Sequence, residues 1–151
     1  MTNSILITGP KGFIGQRLKG RPFTGKIENS KSLFSQAKSV RGIVHLAAVS
    51  YGRACAAEPK KCIQSNLIGL CNVLEVALKK KIWVLFISTY AVKEPHLYGL
   101  TKLCGEELCR LYQVKGVKVS ILLVFGTITY RKSTRSKKIN CSFESTRIFC
   151  F

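Results

Sequence analysis

Acidic residues are scarce in this sequence, and aspartate is absent altogether. Seven glutamates stand against 25 lysines and arginines, so the formal net charge at pH 7 is +18. A charge of this size is typical of proteins that bind a polyanion such as nucleic acid. The basic residues are nevertheless scattered, with clusters only at residues 79–81 and from residue 131 onward. We therefore expect a basic surface that helps to hold an anionic cofactor rather than a nucleic-acid-binding module.

Cysteine pairs at metal-ligand spacing are also missing. None of the seven cysteines belongs to a CxxC pair, and the two histidines, His45 and His96, complete no ligand set. The odd cysteine count argues against a disulfide framework. Cys55, Cys62 and Cys71 lie in or near one predicted helix, where cysteine serves as a small apolar residue. The sequence predicts no metal site and buried, reduced thiols in a cytoplasmic protein.

No apolar run approaches the roughly 18 residues that a membrane span requires. The longest runs occupy residues 82–87 and 117–125. No basic segment, apolar stretch and cleavage site precede the first apolar run, so we expect no secretory signal and no membrane partner. The 151 residues, 46% of them hydrophobic, suffice for one buried core of a common domain size.

Short apolar segments alternate along the chain with segments of helical periodicity. The predicted strands lie at residues 4–8, 42–48, 82–87 and 117–125. The predicted helices lie at residues 15–19, 60–80 and 98–112. The last two strands are apolar on both faces, as central parallel strands are. This alternation predicts an α/β fold with a doubly wound parallel sheet.

Glycines recur at every third residue directly after the first predicted strand, at Gly9, Gly12 and Gly15. Glycine allows a tight turn and lets backbone N–H groups approach a pyrophosphate. The N-terminus of a following helix favours the negative charge. In its position between a strand and a helix, the pattern predicts a nucleotide phosphate site.

Tyr98 and Lys102 are four residues apart and therefore share one face of the predicted helix. A phenol titrates near pH ~10 when unperturbed, and a nearby ammonium lowers its pKa, so the pair suits general acid–base catalysis. A surface Tyr/Lys pair would have the same spacing. This pair, however, follows a strand that ends in Ser88 and Thr89, at the sheet edge where α/β proteins bind ligands.

Five stretches carry a resemblance to a known family. They are Ile-Thr-Gly-Pro-Lys-Gly-Phe-Ile-Gly at 7–15, Ile-Val-His-Leu-Ala-Ala at 43–48, Asn-Leu-Ile-Gly-Leu-Cys-Asn-Val-Leu-Glu at 66–75, Phe-Ile-Ser-Thr-Tyr-Ala-Val at 86–92 and Tyr-Gly-Leu-Thr-Lys at 98–102. In this order the chain resembles extended short-chain dehydrogenases/reductases of the NAD-dependent epimerase/dehydratase family. The resemblance implies a Rossmann-like NAD(P)-binding domain over residues 1–126.

The resemblance also implies site residues. Tyr98 would be the acid/base, Lys102 would hold the nicotinamide ribose, and Thr89 would hydrogen-bond the reacting oxygen. The implied dinucleotide contacts are Gly9, Gly12, Phe13, Ile14, Gly15, Ile27, Leu46, Ala47, Ala48, Asn66, Lys102 and Phe125. The implied cofactor is NAD or NADP, with a slight preference for NAD. The implied substrate is a nucleotide sugar or another carbinol or ketone.

The chain departs from the family pattern in several places. The family's second strand–helix unit, which ends in the acidic residue that contacts the adenosine ribose, has no counterpart. Lys26 stands where the family usually has an aspartate facing the adenine, and Leu123 occupies a usual arginine position. Residues 127–151 are basic and resemble nothing in the family's C-terminal substrate lobe. We expect a poorly ordered tail there and a truncated family member.

Two functions remain open from the sequence. The first is an NAD(P)-dependent epimerase, dehydratase or reductase that uses the Thr-Tyr-Lys set. The second is a dinucleotide-binding remnant that catalyses nothing. In either case the resemblance implies a possible homodimer through the helices at 60–80 and 98–112.

Overall fold

The computed structural model of the protein describes residues 4–124 and 148–149. The strands are β1 Ser4–Thr8, β2 Arg21–Pro22, β3 Val40–His45, β4 Trp83–Thr89, β5 Val119–Val124 and β6 Ile148–Phe149. The helices are α1 Ser30–Gln36, α2 Gly52–Ala57, α3 Pro59–Ile63, α4 Gly69–Lys80 and α5 Leu97–Val114. A π-helical turn, Gln64–Ile68, joins α3 to α4.

The six strands form one sheet in the order β2-β1-β3-β4-β5-β6. The first five are parallel, and β6 pairs antiparallel with β5. This confirms the predicted α/β fold with a Rossmann-like parallel sheet. Because parallel strands end at the same edge, the loops that follow β1, β3 and β4 meet at one side of the molecule.

The main hydrophobic core lies between one face of the sheet and the helices α1, α4 and α5. Leu6 and Phe86 contribute from the strands, while Leu33, Leu70 and Cys109 contribute from the helices, and each is almost fully buried. Burying a side chain such as leucine or phenylalanine stabilises a fold by roughly 1.5–3 kcal/mol.

The other face of the sheet is less covered than the sequence predicted. Leu85 and Ile87 of β4 alternate with the core residues and are only half-buried. Successive right-handed crossovers that run in one direction across a sheet place their helices on the same face. The β1–β2 connection runs in the opposite direction across the sheet. It is therefore the segment that covers the second face. It brings Gly20 against Ile7, where a Cβ would lie 2.8 Å from Cδ1.

The helix predicted to begin at Gly15 is therefore wrong. Gly15–Arg17 form a three-residue 3-10 turn, and Leu18 is already extended. The chain must enter β2 at Arg21, which leaves no room for an α-helix. The sequence predicted that the second strand–helix unit is missing. In its place the structure has a two-residue strand, β2, directly beside β1.

Most of the other predicted elements are confirmed. The strand at residues 4–8 and the helix at 98–112 appear as β1 and α5, and the helix at 60–80 appears as α3, the π-helical turn and α4. The strand predicted at 42–48 ends earlier, at His45. It does so because the N–H groups of Leu46 and Ala47 turn to the Thr8 hydroxyl.

The expectation of reduced thiols is wrong for one pair, because Cys55 and Cys62 form a disulfide. The chain bends at Glu58, which caps the end of α2 and the start of α3. This bend brings the two Cα atoms to 5.0 Å, within the range of a disulfide. Cys71, Cys104 and Cys109 are free thiols, and Cys109 is buried.

Most of the predicted tail, residues 127–147, lies outside the described residues. Ile148 and Phe149, which lie within that tail, pair with Leu122 and Ile121 as β6. No helix in the described part of the chain is long and apolar enough to cross a membrane.

Candidate functional site

The candidate site lies at the carboxyl edge of the sheet. Three loops meet there, namely residues 9–15 after β1, residues 46–51 after β3 and residues 90–96 after β4. The first two contain predicted site residues, and the third lies between Thr89 at the end of β4 and Tyr98 at the start of α5. The sheet topology thus gathers segments that are far apart in the chain.

The glycine loop is tightly folded against the loop after β3. Gly9 has φ +68°, and a Cβ on it would lie 2.8 Å from the Ala47 nitrogen. The Gly12 N–H donates to the Gly9 carbonyl at 3.1 Å. Gly15 is buried so closely that a Cβ would lie 2.9 Å from the Cα of Pro10. Gly12 is different: its nearest contact for a Cβ is the Gly9 carbonyl at 3.3 Å, so its solvent side is open.

Because the helix after this loop is absent, helix-dipole stabilisation of a phosphate is lost. A three-residue 3-10 turn aligns too few peptide dipoles to supply it. The loop's own backbone N–H groups and the nearby lysines must provide the favourable charge. Lys11 lies within the loop and is exposed.

Thr8 and His45 form a buried latch between the ends of β1 and β3. The Thr8 hydroxyl accepts hydrogen bonds from the Leu46 and Ala47 N–H groups at 3.1 and 3.2 Å. The hydroxyl therefore donates its own proton in a hydrogen bond to the His45 Nδ1, 2.8 Å away. Burial, with a smaller effect of the Lys102 charge, lowers the pKa of His45 to about 3, so its imidazole is neutral. The latch fixes the glycine loop against residues 46–48.

The predicted apolar contacts of the loop are distributed unevenly. Phe13 and Ile14 are 43% and 40% exposed, and the Arg17 guanidinium stacks 4.0 Å from the Phe13 ring centroid. Ile27 is instead 5% exposed and packs against Gly69. Its side chain belongs mainly to the core.

A cavity of about 660 Å³ opens beside the glycine loop. Its borders are residues 9–12, residues 22–28, Ala47 and Ser65. The segment at residues 22–28 follows directly from β2. The glycine loop and the residues that end and follow β2 thus border one space.

Asn66, predicted to contact the dinucleotide, makes its hydrogen bonds within the protein. Its Oδ1 accepts from the Val49 N–H at 2.8 Å, and its Nδ2 donates to the Val49 carbonyl at 3.1 Å. Nδ2 also donates to the Thr101 hydroxyl at 3.0 Å and contacts the Cys62 sulfur at 3.5 Å. Asn66 therefore joins the loop after β3 to α5, next to the disulfide. Ala48, also predicted to contact the dinucleotide, is half-buried in that loop.

The two hydroxyls at the end of β4 point in opposite directions. Ser88 is 1% exposed and donates to the Glu106 carboxylate inside the core. Thr89 is half-buried on the other side, and its hydroxyl accepts from the Ala91 N–H at 3.3 Å. Of the two, only Thr89 is accessible from the carboxyl edge.

Lys102 is almost completely buried beneath this edge. Its ammonium donates to the Ile87 carbonyl at 2.7 Å and lies 4.8 Å from the centroid of the Phe86 ring. Burial lowers the pKa of Lys102 to about 8, against the opposing effects of Cys109 and Glu106. The side chain is mostly protonated at neutral pH.

The expectation that the Lys102 ammonium lowers the pKa of Tyr98 is wrong. Burial raises the pKa of Tyr98, and Tyr51 raises it further. The Lys102 ammonium does not offset this, because it is directed to the Ile87 carbonyl at 2.7 Å. Tyr98 is therefore a neutral phenol and a proton donor at neutral pH. Phe125, predicted to contact the dinucleotide, lies outside the described residues.

Two aromatic neighbours of Tyr98 were not identified from the sequence. His96 stacks on the Tyr98 ring at 6.0 Å, and its Nδ1 accepts from the Gly99 N–H at 2.8 Å as the cap of α5. Its position just before the helical pattern could have identified it as a cap. Tyr51 comes from the loop after β3, and nothing in the sequence pairs it with Tyr98.

A phosphate-bearing ligand fits the geometry of the glycine loop. The open side of Gly12 lets a ligand approach the backbone, and the adjacent cavity provides volume for the rest of a nucleotide. Within the described residues, no group of three or more potential metal ligands is present.

Comparisons with known proteins agree with this geometry. Residues 21–145 match the profile of the NAD dependent epimerase/dehydratase family. A UDP-N-acetyl-alpha-D-glucosaminuronate decarboxylase from Bacillus cytotoxicus is 27% identical, over 83% of this chain and 55% of the relative. A UDP-glucose 4-epimerase from Rickettsia canadensis is 33% identical, over 57% of this chain and 26% of the relative.

Solved structures show the same fold. The UDP-glucose 4-epimerase from Brucella ovis, in complex with NAD, superposes with a TM-score of 0.72 at 20% identity, covering 78% of this chain and 50% of that one. The chain thus spans between about a quarter and about half of the length of these relatives. Because the family profile matches most of the sequence, the chain belongs to the NAD dependent epimerase/dehydratase family.

Proposed function

We propose that the protein is a nicotinamide-dinucleotide-dependent oxidoreductase of the epimerase/dehydratase type. The observation that carries the proposal is that the open Gly12 backbone follows β1 while Thr89, Tyr98 and Lys102 end or follow β4, two parallel strands that end at the same sheet edge. Its small-molecule substrate is a nucleotide sugar or another carbinol or ketone, since curated relatives act on UDP-sugars. The dinucleotide is NAD or NADP.

Gly9, Gly12 and Gly15 would hold the pyrophosphate, with Phe13 and Ile14 beside it. Leu46, Ala47 and Ala48 would line the path between the two ends of the dinucleotide. When bound, the nicotinamide ring supplies a hydride acceptor or donor.

The protein's own residues handle the proton. Tyr98, a neutral phenol with a raised pKa, donates its proton to the substrate oxygen as negative charge develops there. The Thr89 hydroxyl donates a hydrogen bond to the same oxygen. Lys102 places its positive charge beneath this edge and orients the ribose.

A second candidate is dinucleotide binding without turnover. It is supported by the arrangement of the catalytic set, in which Lys102 is directed to the Ile87 carbonyl and burial raises the pKa of Tyr98. Turnover that falls at least a hundredfold in Tyr98→Phe would exclude this candidate. Equal turnover signals from wild type and Tyr98→Phe would favour it.

Binding is the first test. Purified protein is titrated with NADH and NADPH, and the nicotinamide fluorescence is followed. We expect saturable binding that is lost in Gly12→Val, because the valine fills the open side of the loop. Ala57→Val, an exposed change outside the site, should bind normally. Both variants should unfold at the wild-type temperature. Failure of the wild type to bind either dinucleotide would refute the proposal.

We also propose that two copies of the chain form a homodimer through the helices at 60–80 and 98–112. Exposed apolar side chains on these helices support it, among them Ile68 at 50%, Leu100 at 54% and Leu103 at 41% exposure. Cytoplasmic location also remains a proposal.

A further inference from the structure

The segment after β2 is the least expected part of the cavity. The sequence suggested that the strand normally contacting the adenosine ribose had been lost. In the structure, Arg21 and Pro22 pair with Leu6 and Ile7 as a short strand beside β1. The chain beyond this strand therefore occupies the place from which a Rossmann-type sheet contacts the ribose.

In such sheets, the residue at this place sets the preference at the 2′ position. A carboxylate accepts a hydrogen bond from a free 2′-hydroxyl, whereas a cation accommodates a 2′-phosphate. Here Phe23 is buried, and the next side chains that border the cavity are Thr24 and Lys26. By sequence position Lys26 corresponds to the family's adenine-facing aspartate. Because β2 here lies directly beside β1, Thr24 and Lys26 border the cavity where a carboxylate would select NAD.

The segment is held in place by side chains from two helices. The N–H and hydroxyl of Thr24 donate to the Gln36 Oε1 at 2.9 and 3.2 Å, and the Gln36 Nε2 donates back to the Thr24 carbonyl at 2.7 Å. Asn72 of α4 donates to the Ile27 and Glu28 carbonyls at 3.1 and 3.0 Å. Lys26 lies between these two anchors, so its backbone is positioned before any ligand arrives.

The charge at the cavity border is net positive. Lys11 from the glycine loop and Lys26 from the segment border the cavity, together with one carboxylate, that of Glu28. Among the described residues, neither ammonium takes part in an ion pair. Both are therefore available to an incoming phosphate.

We infer that this cavity selects a dinucleotide that carries a 2′-phosphate, NADP(H), with Lys26 as the specificity-determining residue and Lys11 as its support. The inference rests on the proposed function, since it concerns the adenosine end of the same dinucleotide. It reverses the slight preference for NAD that the sequence suggested. The reason is that the segment after β2 borders the cavity first with Thr24 and Lys26 and only then with its single acidic residue, Glu28.

The test compares NADPH with NADH in fluorescence titrations of wild type, Lys26→Glu and Lys11→Glu. Lys31→Glu is the matched control, because it makes the same charge change at an exposed position of α1 away from the cavity. Adenosine 2′,5′-bisphosphate and ADP serve as competitors that lack nicotinamide. Their displacement curves report the adenosine end independently of any turnover.

We expect wild type to bind NADPH at least roughly tenfold more tightly than NADH, because a hydrogen bond to a charged group contributes more than a neutral one. Lys26→Glu should remove this preference while changing NADH binding by less than about threefold. The preference should also shrink as salt is added, since exposed charges are screened.

Different failures have different meanings. If wild type binds NADH as tightly as NADPH, the selectivity is refuted while the proposed function stands. If Lys26→Glu and Lys31→Glu lower NADPH binding equally, only the overall charge matters, and the role of Lys26 is refuted. If neither dinucleotide binds, the proposed function fails and the selectivity fails with it.

Discussion

Mild acid should destabilise this protein through a single residue, His45. Burial holds the pKa of His45 at about 3 in the folded chain, compared with 6.5 for an unperturbed imidazole. Between these two values the unfolded chain binds one more proton than the folded chain. The stabilisation is therefore fully present above pH 6.5 and is lost as the pH falls towards 3.

The magnitude follows from these two values. Between pH 7 and pH 5 the linkage relation gives a loss of about 2 kcal/mol in the free energy of unfolding. This window lies above the range in which glutamates with ordinary pKa values protonate, near ~4.3. The loss is a large part of the total for a domain whose stability is about 5–15 kcal/mol.

Urea unfolding followed by tryptophan fluorescence measures this loss directly. Trp83 is the sole tryptophan and is half-buried on β4, so its emission reports the folded sheet. His45→Gln replaces the titrating ring with an amide that does not titrate, and it should flatten the dependence between pH 7 and pH 5. His96→Gln changes the only other histidine, and a slope that flattens in this variant but not in His45→Gln would contradict the reasoning.

A wild-type stability that changes by less than about 0.5 kcal/mol over this window would contradict the reasoning. So would an unchanged slope in His45→Gln. Either result would mean that His45 becomes protonated in the folded chain between pH 7 and pH 5, as it does in the unfolded chain. It would then be unable to accept the Thr8 proton at Nδ1.

Three further outcomes are expected. Asn66→Ala should lower the free energy of unfolding by about 3 kcal/mol, at about 1 kcal/mol for each of three hydrogen bonds, and a loss below 1 kcal/mol in urea titrations would contradict this. Cys55→Ser with Cys62→Ser should cost about 2.5 kcal/mol from loop closure. A reductant should destabilise wild type equally and leave the double variant unchanged. Leu103→Glu should turn any dimer seen by sedimentation into a monomer, because it places a charge on the exposed apolar face of α5; a persistent dimer would exclude that face.

The order of elements was predictable because it depends on local periodicity. The strand at residues 4–8 and the helices at 60–80 and 98–112 follow from the spacing of apolar residues, and each appears in the structure. The end of β3 was misplaced. Leu46 and Ala47 continue the apolar run, but both N–H groups bond the Thr8 hydroxyl, and Leu46 also bonds the carbonyl of Thr8, where β1 ends.

Several site features depend on contacts between distant segments. The sequence could place Thr89, Tyr98 and Lys102 near one sheet edge. It could not show that Lys102 turns to the Ile87 carbonyl, or that Asn66 is fully bonded to Val49 and Thr101. Nor could spacing reveal that the bend at Glu58 brings two cysteines within bonding distance.

The sequence by itself determined the parallel α/β sheet, because apolar periodicity is a local property of the chain, and its motif stretches carried the resemblance to the family. Tertiary structure decided which segments lie next to the glycine loop. It replaced the helix after the glycine loop with a three-residue turn, since the chain has to reach β2 at Arg21. It also placed Lys11 and Lys26 on the border of one cavity, an arrangement that depends on the pairing of β2 with β1.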